Sequence, residues 1–408
     1  MGLSPDNGLA EGEGLSSGLG LGGSGLSIAQ AFLQNFPLLS NLIDSVTSDS
    51  LTLTRASSKT FIKDSGALET VTSGNAAFTG SGVLIEPSHT NKLTYSQQFD
   101  NAAWTKDGAG CSVTANAGTA PDGTTTADQV NAGTSGSGNI QQAFTVTGTS
   151  TCGIGVFVKA GSVNYATLRS FDTGFIYGSS YLHVDLTNGN IVASANVGGY
   201  TVEDQGVIDC GSGWYYIYQT ISGIDRPTLA IIYPANSTSP FNNANGNNIL
   251  AWQFNAFEDA IGNLSSVPTT TAAATSLKDD LAWDLSRLPA NDFEISFNWT
   301  PKTDGVDEYQ LSLSSGANGL ELYLSGGFFN CRSTAIASSG VTPNTTYPVK
   351  LTKSSSSGFT LTITGVGTDT DATDTGDITW PATGYIGSRY TGALHITGVI
   401  DSLKVTDL

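Results

Sequence analysis

The decapeptide Asp292–Pro301, "DFEISFNWTP", places Phe293, Ile295, Phe297 and Trp299 on alternate positions. Successive side chains of a strand point to opposite faces, so these four line one face of a half-buried β-strand. Outward from it, "YQLSLSS", "GLELYLSGG", "FNCRSTAIA", "YPVKLTKS", "FTLTITGVG", "YIGSRY" and "LHITGVIDSLKVTDL" continue the pattern. They predict one β-sandwich over residues 277–408. Upstream, "SSVPTTTAAATS" (Ser265–Ser276) is a linker by composition, with its bounds at 269–276. Before it, "IQQAFTVTG", "CGIGVFVKAG", "YATLRSF", "SSYLHVDLTNGNIVASA", "GWYYIYQTISG" and "ILAWQFNAFE" alternate in the same way, with Gly and Asn at the joints. Strands at this spacing, with no helical run between them, predict another two-sheet sandwich over residues 95–268. The Asn-Gly of "DLTNGNIV" signals a two-residue hairpin turn.

Residues 50–94 read as a connecting β segment, with "LTLTRASSKTFI" and "GVLI" as strand pieces and "KDSG" as a tight turn. In "GVLIEPSHTNKLTYSQQFDNAAW" (Gly82–Trp104), Val83, Leu84 and Ile85 form a short buried strand that Pro87 stops. Leu93, Tyr95, Phe99 and Trp104 fall too irregularly for an amphipathic helix and read as anchors of an extended segment. Residues 1–49 form an arm. Six Gly-Leu pairs begin at Gly2, Gly8, Gly14, Gly18, Gly20 and Gly25, too costly in backbone entropy to build a core alone. Leu26–Asn35 predicts one short helix with Pro37 beyond its end. Its apolar residues Leu26, Ile28, Phe32 and Leu33, with Phe36 and Leu39, need a partner to bury them. They are the candidates for attachment to a larger assembly or for self-association, with a homotrimer expected.

The composition narrows the function. The chain has 408 residues, 12% of them charged, and 49 glycines, so its surface rests on hydroxyls and amides. A net charge of −19 with 16 basic residues excludes nucleic acid and anionic membranes as partners. The only apolar stretch of membrane length, Leu26–Val46, is broken by Gln30, Gln34, Asn35, Pro37 and Asn41, so no membrane insertion is expected. The four cysteines, Cys111, Cys152, Cys210 and Cys331, show no CxxC and are expected as buried free thiols. His89, His183 and His395 are too dispersed for a zinc site.

Several motifs, in order, carry a resemblance. They are "TRASSKTFIKDSG" (Thr54–Gly66), "GVLIEPSHTNKLTYSQQFDNAAW", "APDGTTTAD" (Ala120–Asp128), "FVKAG", "DLTNGNIV", "GSGWYYIY" and "AWQFNAFEDA". From Thr54 onward the chain resembles bacteriophage fibre, spike and minor structural proteins with concanavalin-like jelly-roll modules. It departs from them at His89, where Arg is usual, at Lys92 for Leu, and at Phe254-Asn255 for Leu-Glu. The resemblance implies two tandem jelly-roll sandwiches and a virion context: assembly in the host cytoplasm and exposure on the particle. Other virion proteins would be met through the arm, and host-surface glycan through the modules.

Candidate sites are few. The loop "YPANSTSPFNNANGNNI" (Tyr233–Ile249) offers Tyr233 and Phe241 as stacking surfaces and Asn236, Asn242, Asn243 and Asn245 as amides that donate to and accept from sugar hydroxyls. A plain surface or subunit-contact loop is the competing reading. In "GVGTDTDATDTGDI", Asp369, Asp371, Asp374 and Asp377 are spaced to wrap Ca²⁺, although the glycine and closing Glu of an EF-hand are missing. A solvated acidic turn competes with it. No catalytic residue is assigned. Jelly-roll glycosidases use a Glu-x-Asp-x-x-Glu spacing, whereas Glu203-Asp204, Glu258-Asp259, Asp279-Asp280 and Asp307-Glu308 are adjacent pairs that a strand would point to opposite faces. The expected function is a phage fibre or spike that binds host glycan. A purely structural decoration or neck/tail protein is the alternative, and a polysaccharide depolymerase the third.

Overall fold

The computed structural model describes residues 51–408, apart from 135–136, 147–149, 175–177, 225–226, 238, 242–245, 287, 303–307, 314–319, 326–327, 332–333, 338–340 and 388–395. The arm, with its helix and Leu26, Ile28, Phe32, Leu33, Phe36 and Leu39, lies outside the described residues. The described chain is all-β and forms two sandwiches of antiparallel strands.

Strand Phe293–Pro301 alternates buried and half-buried positions along its whole length, as its spacing predicts. It pairs with Tyr347–Ser354 on one side and with the C-terminal strand Gly398–Asp407 on the other. Its four apolar residues enter the core between two seven-stranded sheets, where Trp299 meets Phe329 edge-on at 5.8 Å.

This sandwich also recruits the segment that the sequence suggests as a connection. Leu51–Thr54 pairs with Asp280–Asp284, and Val83–Ile85 pairs with Gly398–Ile400 of the C-terminal strand. Leu53, Val83 and Ile85 belong to its core. Residues 51–85 and 277–408 therefore build one sandwich, and the other is inserted between them. Alternation shows which face of a strand is buried but not which strand lies beside it, so the partner was not legible.

The inserted sandwich pairs a six-stranded sheet with an eight-stranded one. Ser150–Ala160, Thr201–Asp209, Trp214–Ile224 and Asn248–Glu258 lie in the larger sheet. Tyr165–Asp172, Gly178–Asp185, Asn190–Gly198 and Thr228–Ala235 lie in the smaller. The chain thus crosses repeatedly between the sheets, as in a jelly roll. Leu93, Phe99 and Trp104 are core anchors, but the backbone between them forms successive turns instead of an extended run. Residues 269–276 are not a free linker either: Ala274–Ser276 pairs with His89–Asn91, so outgoing and returning chains cross the junction side by side. The hairpin at "DLTNGNIV" has four residues between Asp185 and Asn190, with Gly189 alone at positive φ (74°). The Asp185 carboxylate captures the Thr187 amide at 2.9 Å, which settles the longer turn.

The hairpin Lys59–Ile62/Leu68–Val71 is a wedge between the sandwiches. Phe61 and Val71 pack on Leu84 and Val399 of the discontinuous sandwich. Ile62 and Leu68, on the opposite face, pack on the aromatic cluster of the eight-stranded sheet. Its turn needs Gly66 (φ 83°), because a Cβ there would sit 2.1 Å from the Asp209 carbonyl oxygen.

Beside the wedge lies a buried ion network. Arg55 donates from Nη1 to Asp279 at 2.8 Å, Lys59 contacts both Asp279 and Glu86, and the Glu86 amide donates to Asp279 at 3.0 Å. His89 bridges the same junction, its ring nitrogens 3.0 Å and 2.9 Å from the Pro87 and Ser265 carbonyls. Burial opposes Glu86 ionisation, but Lys59, His89 and Lys302 outweigh it and hold the carboxyl at about 2, below the ordinary 4.5. A depressed carboxyl stabilises the fold above its unfolded value and stops doing so as pH falls through its folded value. Wild-type stability minus that of Glu86→Gln is therefore expected to shrink by on the order of 3 kcal/mol between pH 4.5 and 2. Denaturant titrations across that window measure it, and a pH-independent difference refutes the coupling.

No disulfide joins the four cysteines; Cys152 and Cys331 are buried, and Cys111 and Cys210 are half-buried.

Candidate functional site

The two sheets of the inserted sandwich have different outer faces. On the eight-stranded sheet, Phe157, Trp214, Tyr216, Tyr218 and Trp252 form a covered cluster beneath the wedge. The Trp214 indole donates to the Thr119 carbonyl at 3.1 Å and that of Trp252 to the Thr126 hydroxyl at 3.0 Å, so residues 119–126 seal both. Trp104 lies in the core, stacked on Phe254 at 5.5 Å. None of these indoles is a platform for a ligand.

The six-stranded sheet turns Ala166, Leu168, Leu182, Ala230 and Ile232 inward. Alternation then sends Arg169 and Phe171, Tyr181, and Tyr233 to its outer face. Register brings them together, because Arg169 stands opposite Tyr181 on one neighbouring strand and Ile231 on the other. The loop after Tyr233 folds back over this face. The Thr167 hydroxyl donates to the Pro240 carbonyl at 2.6 Å, and the Ser239 amide donates to Asn236 Oδ1 at 3.0 Å. That seat holds Phe241 edge-on to Tyr181 (5.0 Å) and Tyr233 (5.6 Å). The Arg169 guanidinium lies between two rings, 4.2 Å from the Phe171 centroid and 4.5 Å from that of Phe241. Its Nη1 is 3.5 Å from the Tyr233 hydroxyl. Burial raises the Tyr233 pKa, so the phenol stays protonated and can donate.

Of the predicted loop residues, the structure brings Tyr233 and Phe241 into one cluster. Asn236 closes the loop with its side chain, and Asn242, Asn243 and Asn245 lie outside the described residues. Arg169, Phe171 and Tyr181 were missed. "YATLRSF" does put Arg169 and Phe171 on one face, but only the fold shows that the loop after Tyr233 folds back onto it.

The acidic turn gathers no metal site. Asp369 accepts from the Ala335 amide at 2.8 Å, and Asp371 caps its own turn through the Thr373 amide at 2.9 Å. Asp374 faces Lys353 at 3.4 Å, and Asp377 accepts from Asn291 at 3.1 Å. Among the described residues, no three His, Cys, Asp or Glu side chains come together to hold a metal. Each carboxylate instead serves a local turn or strand edge through a donor close by.

Among the described residues, no helix is long and apolar enough to cross a membrane. No family model matches the chain, and no curated protein matches it. Among solved structures, domains LG4-5 of the mouse laminin alpha1 chain are similar over 82% of this chain and 92% of that one, at 9% identity and a TM-score of 0.23.

Proposed function

We propose that the chain is a bacteriophage virion protein, a fibre or spike component that anchors through its N-terminal arm and binds host-surface glycan with the inserted sandwich. The observation that carries this reading is the outer face of the six-stranded sheet, where Phe171, Tyr181, Tyr233 and Phe241 surround one guanidinium. Aromatic rings supply stacking surfaces for sugar C–H groups, while phenol and guanidinium supply directed donors. The hydroxyl-rich composition and the resemblance to phage fibres support the virion context.

A binding role is favoured over a catalytic one because two of the adjacent acid pairs have a member held in an ion pair. Glu258 pairs with Lys92 at 2.5 Å, and Asp279 sits in the junction. The rigid, doubly crossed junction also suits a structural spacer, the second reading. Host polysaccharide arrays and adsorption assays with the full chain decide between them. Glycan binding that Phe241→Ala and Tyr181→Ala each weaken about tenfold is the expected result. Absence of binding, with adsorption unaffected by excess protein, leaves the spacer role. New reducing ends in the polysaccharide would point to a depolymerase.

A further inference from the structure

The charge at the centre of that face has not been balanced. Among the described residues, no carboxylate lies within ion-pair reach of Arg169, although the chain carries 35 acidic residues against 16 basic ones. At the junction, by contrast, Arg55 is matched by Asp279, and Lys59 by Asp279 and Glu86. The Arg169 guanidinium lies over two phenyl rings, and among the described residues its buried Nε has no acceptor. Among the described residues its one side-chain hydrogen bond, to the Tyr233 hydroxyl, is long at 3.5 Å. The residue as a whole is half-buried, so the guanidinium is partly stripped of water yet reachable. A cation held in that state lacks the hydration it had in the unfolded chain and has gained no anion in return.

We infer that the sheet-face site selects a sugar bearing a carboxylate, of the uronic or sialic acid class, with Arg169 as the group that receives it. The inference rests on the glycan-binding reading above and names the ligand class of that same site. A planar guanidinium matches a carboxylate through paired N–H donors, which a neutral sugar cannot exploit. The flanking rings fix the plane of the fork and leave flat surface for the pyranose to stack on. The net charge of −19 makes the selection local, because the field of the whole chain repels polyanions.

The test is calorimetric titration of the full chain with polygalacturonate, hyaluronate and polysialic acid. Each is paired with its carboxyl-reduced form, in which –COO⁻ has become –CH₂OH, and dextran sulfate is run beside dextran. The expected result is binding to at least one carboxylate polymer about tenfold tighter than to its reduced form, with Arg169→Met erasing that preference. Should Arg169→Met lose its fold by thermal unfolding, Arg169→Lys carries the test with a drop of about threefold, since it keeps the charge without the fork. Equal binding of both forms, a preference that survives the Arg169 substitutions, or tighter binding of dextran sulfate than of every carboxylate polymer overturns the inference and leaves the glycan reading standing. Failure to bind any polymer, charged or neutral, overturns the inference and counts against that reading as well.

Discussion

Asp279→Asn is expected to lower the unfolding free energy by about 3–5 kcal/mol, because it removes an anion from between two buried cations. The Arg55, Lys59 and Asp279 side chains are all fully shielded from solvent. Asp279 takes the Arg55 guanidinium on one oxygen, and on the other it takes both the Lys59 ammonium and the Glu86 amide at 3.0 Å. Without it, Arg55 still donates to the Ser57, Thr72 and Asn75 carbonyls, so its hydrogen bonds survive while its charge is left uncompensated. Lys59 keeps only Glu86, 3.0 Å away. The control is the adjacent acid. Asp280 meets Lys278 at 2.9 Å with both side chains partly exposed, so Asp280→Asn is expected to cost less than about 1 kcal/mol. Guanidinium unfolding followed by tryptophan fluorescence measures both variants. Equal stabilities for the two would show that the junction ions contribute nothing specific.

The second large effect concerns which pieces of the chain fold. A fragment of residues 277–408, the whole of the second sandwich as read from sequence, is expected to be unfolded or aggregated. It lacks Leu51–Thr54, which borders Asp280–Asp284, and Val83–Ile85, which borders the C-terminal strand. Losing them uncovers a strand edge in each sheet, where unpaired backbone groups invite association. It also removes Leu53, Val83 and Ile85 from the core, each contributing about 1.5–3 kcal/mol against a total stability of about 5–15 kcal/mol. Joining residues 51–86 to 279–408 by a short Gly-Ser linker should restore cooperative folding. The Asp279 amide already donates to the Glu86 carbonyl at 3.0 Å, so the two cut ends are adjacent. Circular dichroism and thermal melts of both pieces check this, and a cooperative melt from 277–408 alone would overturn the discontinuous assignment.

Much of the fold was written in the residue pattern. The alternation of Phe293, Ile295, Phe297 and Trp299 specifies a half-buried strand whatever stands beside it, and the turn at Lys63–Gly66 is set by local backbone preference. Such properties depend on neighbours a few residues apart, so sequence alone determined the all-β class and most strands. The tertiary structure decided everything that depends on which distant strands are neighbours. Val83–Ile85 reads the same beside any strand, but pairing it with Gly398–Ile400 assigns the first described residues to the last sandwich. Asp279 looked like half of an ordinary acidic pair until folding brought Arg55 and Lys59 to it from more than 200 residues away. Arg169 had no marker in its segment. Its place between Phe171 and Phe241 exists only because a loop from beyond the next strand folds back over the sheet, and side-chain chemistry cannot encode in one segment the contact that another must supply.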